Sequence, residues 1–297
     1  RPLPEEGFIK DPKWIIFPRR AFEAHGEINT RIAAMAEDFS VDAAYVRFNS
    51  IMQVGEGKPN IGIMAGGVSA AYTREALRQL QELADAAGVE LPAVRVMQVG
   101  TPYPFPAKRA LEFADGLDAV LTLEELDHVL EDELLKLAGR EHLAFEVAGK
   151  LTGDARDRGE NDTDDVMRRI CAFVDSRLGT QLGKLLPAAA PYAYPDDAQA
   201  LPVRPPVLCA GCPHRGSFYA IKRALGRREG VYCGDIGCYT LGNAAPLSTT
   251  DTCLCMGAGI TVAQGFSVAE PGKKQIAFVG DSTFFASGLT GCANAVY

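Results

Sequence analysis

The sequence has no long run of apolar residues and is poor in tryptophan and histidine. One Trp and four His occur in 297 residues. No stretch offers the roughly 20 apolar residues that a membrane-spanning helix needs. The first ten residues lack the zones of a secretory signal peptide. We therefore expect a cytoplasmic protein without a membrane partner.

Clustered basic residues are also missing. The chain has 30 Lys and Arg against 38 Asp and Glu, a net charge of −8. Its basic residues are scattered or form short pairs such as Arg227-Arg228. Because nucleic-acid backbones are bound by grouped Lys and Arg, we expect no nucleic-acid partner.

The eight cysteines are unevenly placed. Seven lie between Cys209 and Cys292, and the other is Cys171. A secreted domain held by disulfides is usually smaller and more evenly studded with cysteine. In a reducing compartment, such clustering favours a metal, iron–sulfur chemistry or a cofactor pocket.

The chain divides into four regions. Residues 1–57 show no clear strand but a helical spacing over Glu27–Ser40, and we interpret them as a connection from a preceding domain. Residues 58–186 alternate strands with helices, which predicts a parallel sheet covered by helices. Thr122 and Glu125 have the spacing of a helix capping box. Strands are predicted at 61–64, 94–100 and 143–149, and a further strand is predicted before a helix within residues 118–139.

A linker and a second α/β unit follow. Residues 187–206 contain six prolines among alanines, which is typical of an extended linker. Residues 207–297 again join strands to glycine-rich turns and helices. Because the pattern stops within a helix, we expect half of a domain, with an unfinished sheet and poor solubility in isolation.

Asp281 follows an apolar run, Ile276–Val279, that predicts a buried strand. Ligands of open α/β sheets bind at the carboxyl ends of strands. Asp281, Ser282 and Thr283 at a helix start suit a diphosphate held through Mg²⁺. The alternative is that Asp281 only caps the helix.

The segment "YCGDIGCYTLG" repeats this arrangement. Gly234-Asp235 and Gly237-Cys238 follow a predicted strand, and glycine allows a backbone to approach a ligand closely. The alternative is an ordinary tight turn.

Two further segments are rich in cysteine. Cys209 and Cys212 form a CxxC pair before His214, which is compatible with zinc, a redox pair, an iron–sulfur cluster or a turn without metal. In "TTDTCLCMGAG", the thiols and Met256 could surround a flat heterocycle or simply fill a core.

Together, "CAGCPHRGSFYAIK", "GDIGCYTLG", "TTDTCLCMG" and "GDSTFF" resemble the thiamine diphosphate-binding region of the large subunit of indolepyruvate:ferredoxin oxidoreductase. The earlier "GIMAGGVSAAYTREAL" and "VGTPYPFP" resemble the domain before it. The resemblance implies an α/β protein with two parallel-sheet domains. The first would be like the carboxyl-terminal domain of transketolase, and the second would be the first half of a thiamine diphosphate-binding domain.

The resemblance also implies an activity. Such enzymes oxidatively decarboxylate indolepyruvate or other aryl 2-oxo acids with coenzyme A, giving an aryl-acetyl-CoA, CO₂ and reduced ferredoxin in anaerobic metabolism. The implied cofactors are thiamine diphosphate, Mg²⁺ and 4Fe–4S clusters, the clusters mostly or wholly outside this chain. The implied partners are a smaller β subunit and ferredoxin.

Roles for individual residues follow from the same resemblance, which assigns no catalytic residue. Asp281 would bind Mg²⁺, and Gly280, Ser282 and Thr283 would surround the diphosphate. The cofactor would also contact His214, Gly237, Cys238, Met256 and Gly257.

Other features of the family are incomplete in this chain. Cys209, Cys212 and Cys238 resemble three of four ligands of a cluster beside the cofactor, and the fourth would follow Tyr297. The second Mg²⁺ ligand, an Asn, and an activating glutamate would also lie outside the chain. At Ala286 the family typically has a histidine. A non-oxidative thiamine-dependent decarboxylase and a truncated chain without independent activity are the alternatives.

Overall fold

The computed structural model describes residues 7–187 and 204–297. These residues form two compact units, one on each side of the gap, which we call unit 1 and unit 2. Most of the linker predicted at 187–206 lies outside the described residues. The domain boundaries predicted from the sequence stay predictions.

Unit 1 contains a five-stranded sheet and six helices, with short 3₁₀ turns at Pro12–Trp14 and Leu182–Leu185. The strands are β1 (Ile51–Val54), β2 (Glu56–Gly66), β3 (Pro92–Val99), β4 (Ala119–Leu123) and β5 (Glu146–Ala148). The helices are α1 (Pro18–Val41), α2 (Ala43–Val46), α3 (Gly67–Ala87), α4 (Ala107–Ala114), α5 (Val129–Arg140) and α6 (Thr163–Leu178).

The sheet of unit 1 has the order β1-β3-β2-β4-β5. Strands β2 to β5 are parallel, and β1 is antiparallel to β3 at one edge. The predicted α/β class with a parallel sheet is thereby confirmed. Strand β1 was not predicted, and β2 begins at Glu56, two residues before the boundary drawn at 57/58.

Helices cover both faces of this sheet. Because side chains alternate along a strand, Ile61 and Ile63 face one core and Met64 faces the other. Helices α3 and α6 pack on the first face, and α4 and α5 on the second. Gly62 lets Phe113 approach closely, since a Cβ at Gly62 would lie 2.7 Å from the Phe113 ring.

The capping box predicted from Thr122 and Glu125 is wrong. Thr122 lies within β4, and its hydroxyl donates to the carbonyl of Ala148 at 3.1 Å. Helix α5 begins later, and the carboxylate of Glu124 accepts the N–H groups of Leu130 at 2.9 Å and Glu131 at 3.1 Å. Because Thr122 is held in β4, the carboxylate of Glu124 caps the helix instead.

Helix α6 was not predicted, although its ends carry standard signals. The side chain of Asp162 accepts the N–H of Asp165 at 2.7 Å and so caps the helix start. Gly179 ends the helix with a φ of 69°, a left-handed conformation that glycine adopts readily.

Unit 2 contains a three-stranded parallel sheet in the order β7-β6-β8. The strands are β6 (Gly230–Asp235), β7 (Thr252–Leu254) and β8 (Lys274–Ala277), with a 3₁₀ turn at Cys238–Asn243. The helices are α7 (Pro213–Leu225), α8 (Ala258–Ala269) and α9 (Asp281–Thr283), the last continuing through a π-helical segment, Phe284–Gly288, into α10 (Leu289–Val296). The short strand β7 was not predicted.

The last strand differs from its prediction in length and burial. We expected a buried strand through Val279, but β8 ends at Ala277 and its apolar residues are only half-buried. Among the described residues β8 lies at a sheet edge, so one side of it has no neighbouring strand. This accounts for the incomplete burial.

Candidate functional site

Three loops of unit 2 begin at the same edge of its sheet. Asp235 pairs with Leu254 across β6 and β7, and Cys233 pairs with Ala277 across β6 and β8. Because the strands are parallel, the loops that follow their carboxyl ends emerge side by side. The sequence-predicted residues in these loops are Gly237, Cys238, Met256, Gly257, Gly280, Asp281, Ser282 and Thr283.

Asp235 ends β6 and is fully buried. Its Oδ2 accepts the N–H of Gly257 at 2.5 Å, and its Oδ1 accepts the hydroxyl of Tyr239. One carboxylate therefore joins the end of β6 to the loops after β6 and β7. The sequence interpretation placed no role on Asp235, although the two Gly-Asp junctions were a signal for it.

Tyr239 is buried beneath two of the glycines. A Cβ at Gly237 would lie 2.4 Å from the Tyr239 ring, and one at Gly280 would lie 3.2 Å from it. The absence of side chains thus lets the loops after β6 and β8 pack against one ring. Tyr239 was also missed by the sequence interpretation.

Gly257, the residue before α8, lies in the left-handed region, with a φ of 94°. A Cβ there would lie 2.6 Å from Oγ of Ser287. That hydroxyl donates to the carbonyl of Met256 at 3.3 Å, which ties the loop after β7 to the π-helical segment. Ala286 lies exposed in the same segment.

Asp281 begins α9 and is exposed, as is Ser282. Oδ1 of Asp281 accepts the N–H of Ser282 at 2.8 Å, and within the described residues its Oδ2 accepts no hydrogen bond. Thr283, by contrast, is buried. An open carboxylate oxygen beside a hydroxyl fits a hard cation such as Mg²⁺, which prefers oxygen ligands.

His214 lies near Tyr239, which packs at this edge of the sheet. The centroids of the two rings are 6.1 Å apart. Nδ1 of His214 is 3.0 Å from Sγ of Cys212, the residue that precedes α7. Cys209 is joined to Cys212 by a turn in which its carbonyl accepts the Cys212 N–H at 3.2 Å. The structure thus brings His214 and the CxxC pair together.

No group of three or more His, Cys, Asp or Glu side chains in 7–187 and 204–297 has the geometry of a metal site. Cys209 and Cys238 are exposed, and Cys212 is half-buried. The described residues alone do not form a cluster-binding group, and a cluster role for these three cysteines stays a prediction.

The cavities of unit 1 include one of about 630 Å³ and one of about 450 Å³. The smaller one is at the carboxyl ends of β2, β3 and β4 and is lined in part by Gln98, Glu124 and Glu125. These groups are engaged within the fold, since Gln98 accepts from Arg74 and Glu125 accepts the N–H of Asn161 at 2.9 Å. Burial raises the pKa of Glu124, which caps α5. The sequence-predicted site residues, by contrast, all lie in unit 2.

Comparisons with known proteins agree with this placement. The family described as thiamine pyrophosphate enzyme, C-terminal TPP binding domain, matches residues 235–297, and the indolepyruvate oxidoreductase domain matches residues 51–190. Thiamine pyrophosphate is another name for thiamine diphosphate. The match to the TPP binding domain thus falls within unit 2, and the other match falls largely within unit 1.

Over nearly its whole length, the chain is similar to curated proteins named indolepyruvate oxidoreductase subunit IorA. It is 36% identical to that of Thermococcus kodakarensis over 98% of this chain and 43% of the relative. It is 35% identical to that of Methanothermobacter thermautotrophicus over 99% of this chain and 44% of the relative. The resemblance predicted from the motifs is confirmed, and the chain spans less than half the length of these relatives.

A solved 2-oxoglutarate:ferredoxin oxidoreductase from Magnetococcus marinus also matches. The alignment covers 52% of this chain and 23% of the solved chain, with 16% identity and a TM-score of 0.32. Within the described residues, no helix has both the length and the apolar character to cross a membrane.

Proposed function

We propose that the protein is part of a ferredoxin-dependent 2-oxoacid oxidoreductase. It would act in the oxidative decarboxylation of indolepyruvate or another aryl pyruvate with coenzyme A, giving an aryl-acetyl-CoA, CO₂ and reduced ferredoxin. The observation that carries the proposal is the convergence of three loops at the carboxyl edge of unit 2, within a matched TPP-binding domain. The names of the relatives support the substrate class.

In this proposal the loops of unit 2 bind the diphosphate and metal end of the cofactor. Asp281 holds Mg²⁺ with its open carboxylate oxygen, and Ser282 adds a hydroxyl. Gly257 and Gly280 let backbone come close to the ligand. Thiamine diphosphate, when bound, supplies the electron-accepting centre on which CO₂ is lost.

An apolar rim surrounds this polar site. Ile236, Leu254, Met256 and Phe285 lie on or next to the three loops and are each more than half exposed. Such side chains fit the aromatic rings of a cofactor or an aryl substrate. Cys238 and His214 complete the proposed cofactor contacts.

The word "subunit" in the relatives' names supports a partner chain, and we propose a smaller β subunit and ferredoxin as partners. The 4Fe–4S clusters would carry electrons to ferredoxin.

The test uses the intact polypeptide with any partner that co-purifies, prepared without oxygen. Reduction of a low-potential viologen by indolepyruvate should require both coenzyme A and thiamine diphosphate. Asp281→Ala should lower this rate by at least about 100-fold, since a metal ligand is lost. Glu229→Ala removes an exposed carboxylate at the opposite end of β6 and should leave the rate unchanged. CO₂ release without coenzyme A and without viologen reduction would instead indicate a non-oxidative decarboxylase.

A further inference from the structure

Asp235 is a buried carboxylate that the proposed function does not yet use. Asp is rarely fully buried unless its charge is compensated. Within 7–187 and 204–297, no Lys or Arg forms an ion pair with it. Its compensation is instead the N–H of Gly257 and the hydroxyl of Tyr239, both strong hydrogen bonds because the acceptor is charged.

The first bond fixes the loop after β7. Gly257 is the residue before α8, where free N–H groups and the helix dipole favour a negative charge. The carboxylate of Asp235 occupies this position and so holds Gly257 in its left-handed conformation. The preceding residue, Met256, is held as well, because its carbonyl accepts the hydroxyl of Ser287.

The second bond fixes the loops after β6 and β8. The hydroxyl of Tyr239 points to Asp235, while its ring packs under Gly237 and Gly280. Gly280 directly precedes Asp281 in the chain. The Tyr239 ring therefore fixes the backbone at Gly280 and, with it, the position of the next residue, Asp281.

We propose that Asp235 is the positioning residue of the cofactor site and holds its three loops in their binding arrangement before the cofactor arrives. The inference rests on the proposed function, since the ligand concerned is thiamine diphosphate with Mg²⁺. Asp235 is buried behind the loops and acts through Gly257 and Tyr239, not by touching the ligand. Preformed loops lower the ordering cost of binding, so their loss weakens affinity.

Three variants separate the two bonds. Asp235→Ala removes both bonds, and Tyr239→Phe removes only the hydroxyl bond and keeps the ring beside Gly280. Asp235→Asn keeps an oxygen that can accept the Gly257 N–H. The matched control is Asp251→Ala, because Oδ2 of Asp251 accepts the N–H of Tyr232 in the same strand at 2.8 Å, away from the three loops.

The measurement is the Kd of thiamine diphosphate at saturating Mg²⁺, by calorimetry on the intact polypeptide with its partner, well below each variant's Tm. Asp235→Ala should raise Kd by about tenfold or more, as expected for bonds to a charged group. Asp235→Asn and Tyr239→Phe should raise it less. Asp251→Ala should lower Tm and leave Kd unchanged, which distinguishes positioning from general loss of stability.

The outcomes are distinct. Wild-type protein that binds no thiamine diphosphate would overturn the proposed function and this inference with it. Wild-type binding with an unchanged Kd in Asp235→Ala and Tyr239→Phe would overturn the inference alone. If Asp235→Ala does not fold, an unchanged Kd in Tyr239→Phe is sufficient to reject it. A rise in Kd in Asp251→Ala equal to that in Asp235→Ala would also reject it.

Discussion

Cys171 differs from the other cysteines in its surroundings. It lies in α6 at 1% exposure, and burial raises the pKa of its thiol to about 12. Because the thiolate is the reactive form, we expect iodoacetamide near pH 8 to label exposed Cys209 and Cys238 and to spare Cys171. Mass spectrometry of the digested protein measures this. In denaturant all eight cysteines should be labelled, and native labelling of Cys171 as fast as Cys209 would contradict the prediction.

Glu124 should make unit 1 sensitive to pH. Burial raises the pKa of Glu124 above its ordinary 4.5, while hydrogen bonds from Leu130 and Glu131 and the charge of Lys150 oppose the rise. The folded state then holds a proton more readily than the unfolded state. Its contribution to the free energy of unfolding is therefore full below about pH 4.5 and is lost as pH rises through the raised pKa.

The test compares Glu124→Gln with Glu90→Gln, the latter at an exposed position. Urea unfolding followed by circular dichroism at several pH values from about 4 to 7 gives the free energy of unfolding. We expect Glu124→Gln to be less stable throughout but to show a smaller fall with rising pH. A fall equal to that of the wild type would show that Glu124 does not titrate in this range.

Sequence reasoning singled out Asp281 and its neighbours but assigned no role to the buried Asp235 and Tyr239. Asp281 and the glycines stand out because of their local pattern after a strand. The roles of Asp235 and Tyr239 depend on partners that only the sheet register brings near, such as Gly257. No local pattern contains that register. Burial of a charged residue depends on how the unit packs. The sequence therefore showed two Gly-Asp junctions but not that Asp235 is buried.

Gly257, just before α8, and Gly265, within α8, should respond oppositely to alanine. At Gly257 the φ of 94° and the 2.6 Å approach of Ser287 make any Cβ unfavourable, and Gly257→Ala should destabilise unit 2 by about 1–2 kcal/mol. Gly265 lies inside the helix with open space around it, and Gly265→Ala should stabilise by up to about 1 kcal/mol. Urea unfolding of both variants measures this. Changes of the same sign would contradict the strain assigned to Gly257.

At the level of elements, the sequence pattern predicted some helices and strands correctly, but it did not predict the features that depend on strand pairing. Helix α1 contains the helical spacing predicted over Glu27–Ser40, and the strand predicted at 61–64 lies within β2. Strand β7 has three residues, too few to show a period, and exists because it pairs with β6. Thr122 had the spacing of a cap but was taken by β4, since sheet pairing outweighs a cap worth about 1 kcal/mol.

At the scale of the whole molecule, exposed apolar side chains are numerous in both units. In unit 1, Phe8, Ile16, Phe17 and Phe22 are each about 70% exposed or more. In unit 2, Phe285 is 75% exposed. Soluble monomers rarely expose large contiguous apolar patches, so we expect the 297-residue chain alone to self-associate or to dissolve poorly.

Phe22 offers the sharpest test of this expectation, because it lies on α1 at 83% exposure. Phe22→Glu replaces an exposed ring by a charge and should raise the protein concentration at which association begins. Asn29→Glu adds the same charge on the same helix at an exposed polar position, and it should have a smaller effect if the ring drives association. Sedimentation velocity over a range of concentrations measures both. Equal effects would assign the association to net charge, and a monodisperse wild-type monomer with a cooperative thermal transition would show that the exposed apolar residues do not associate.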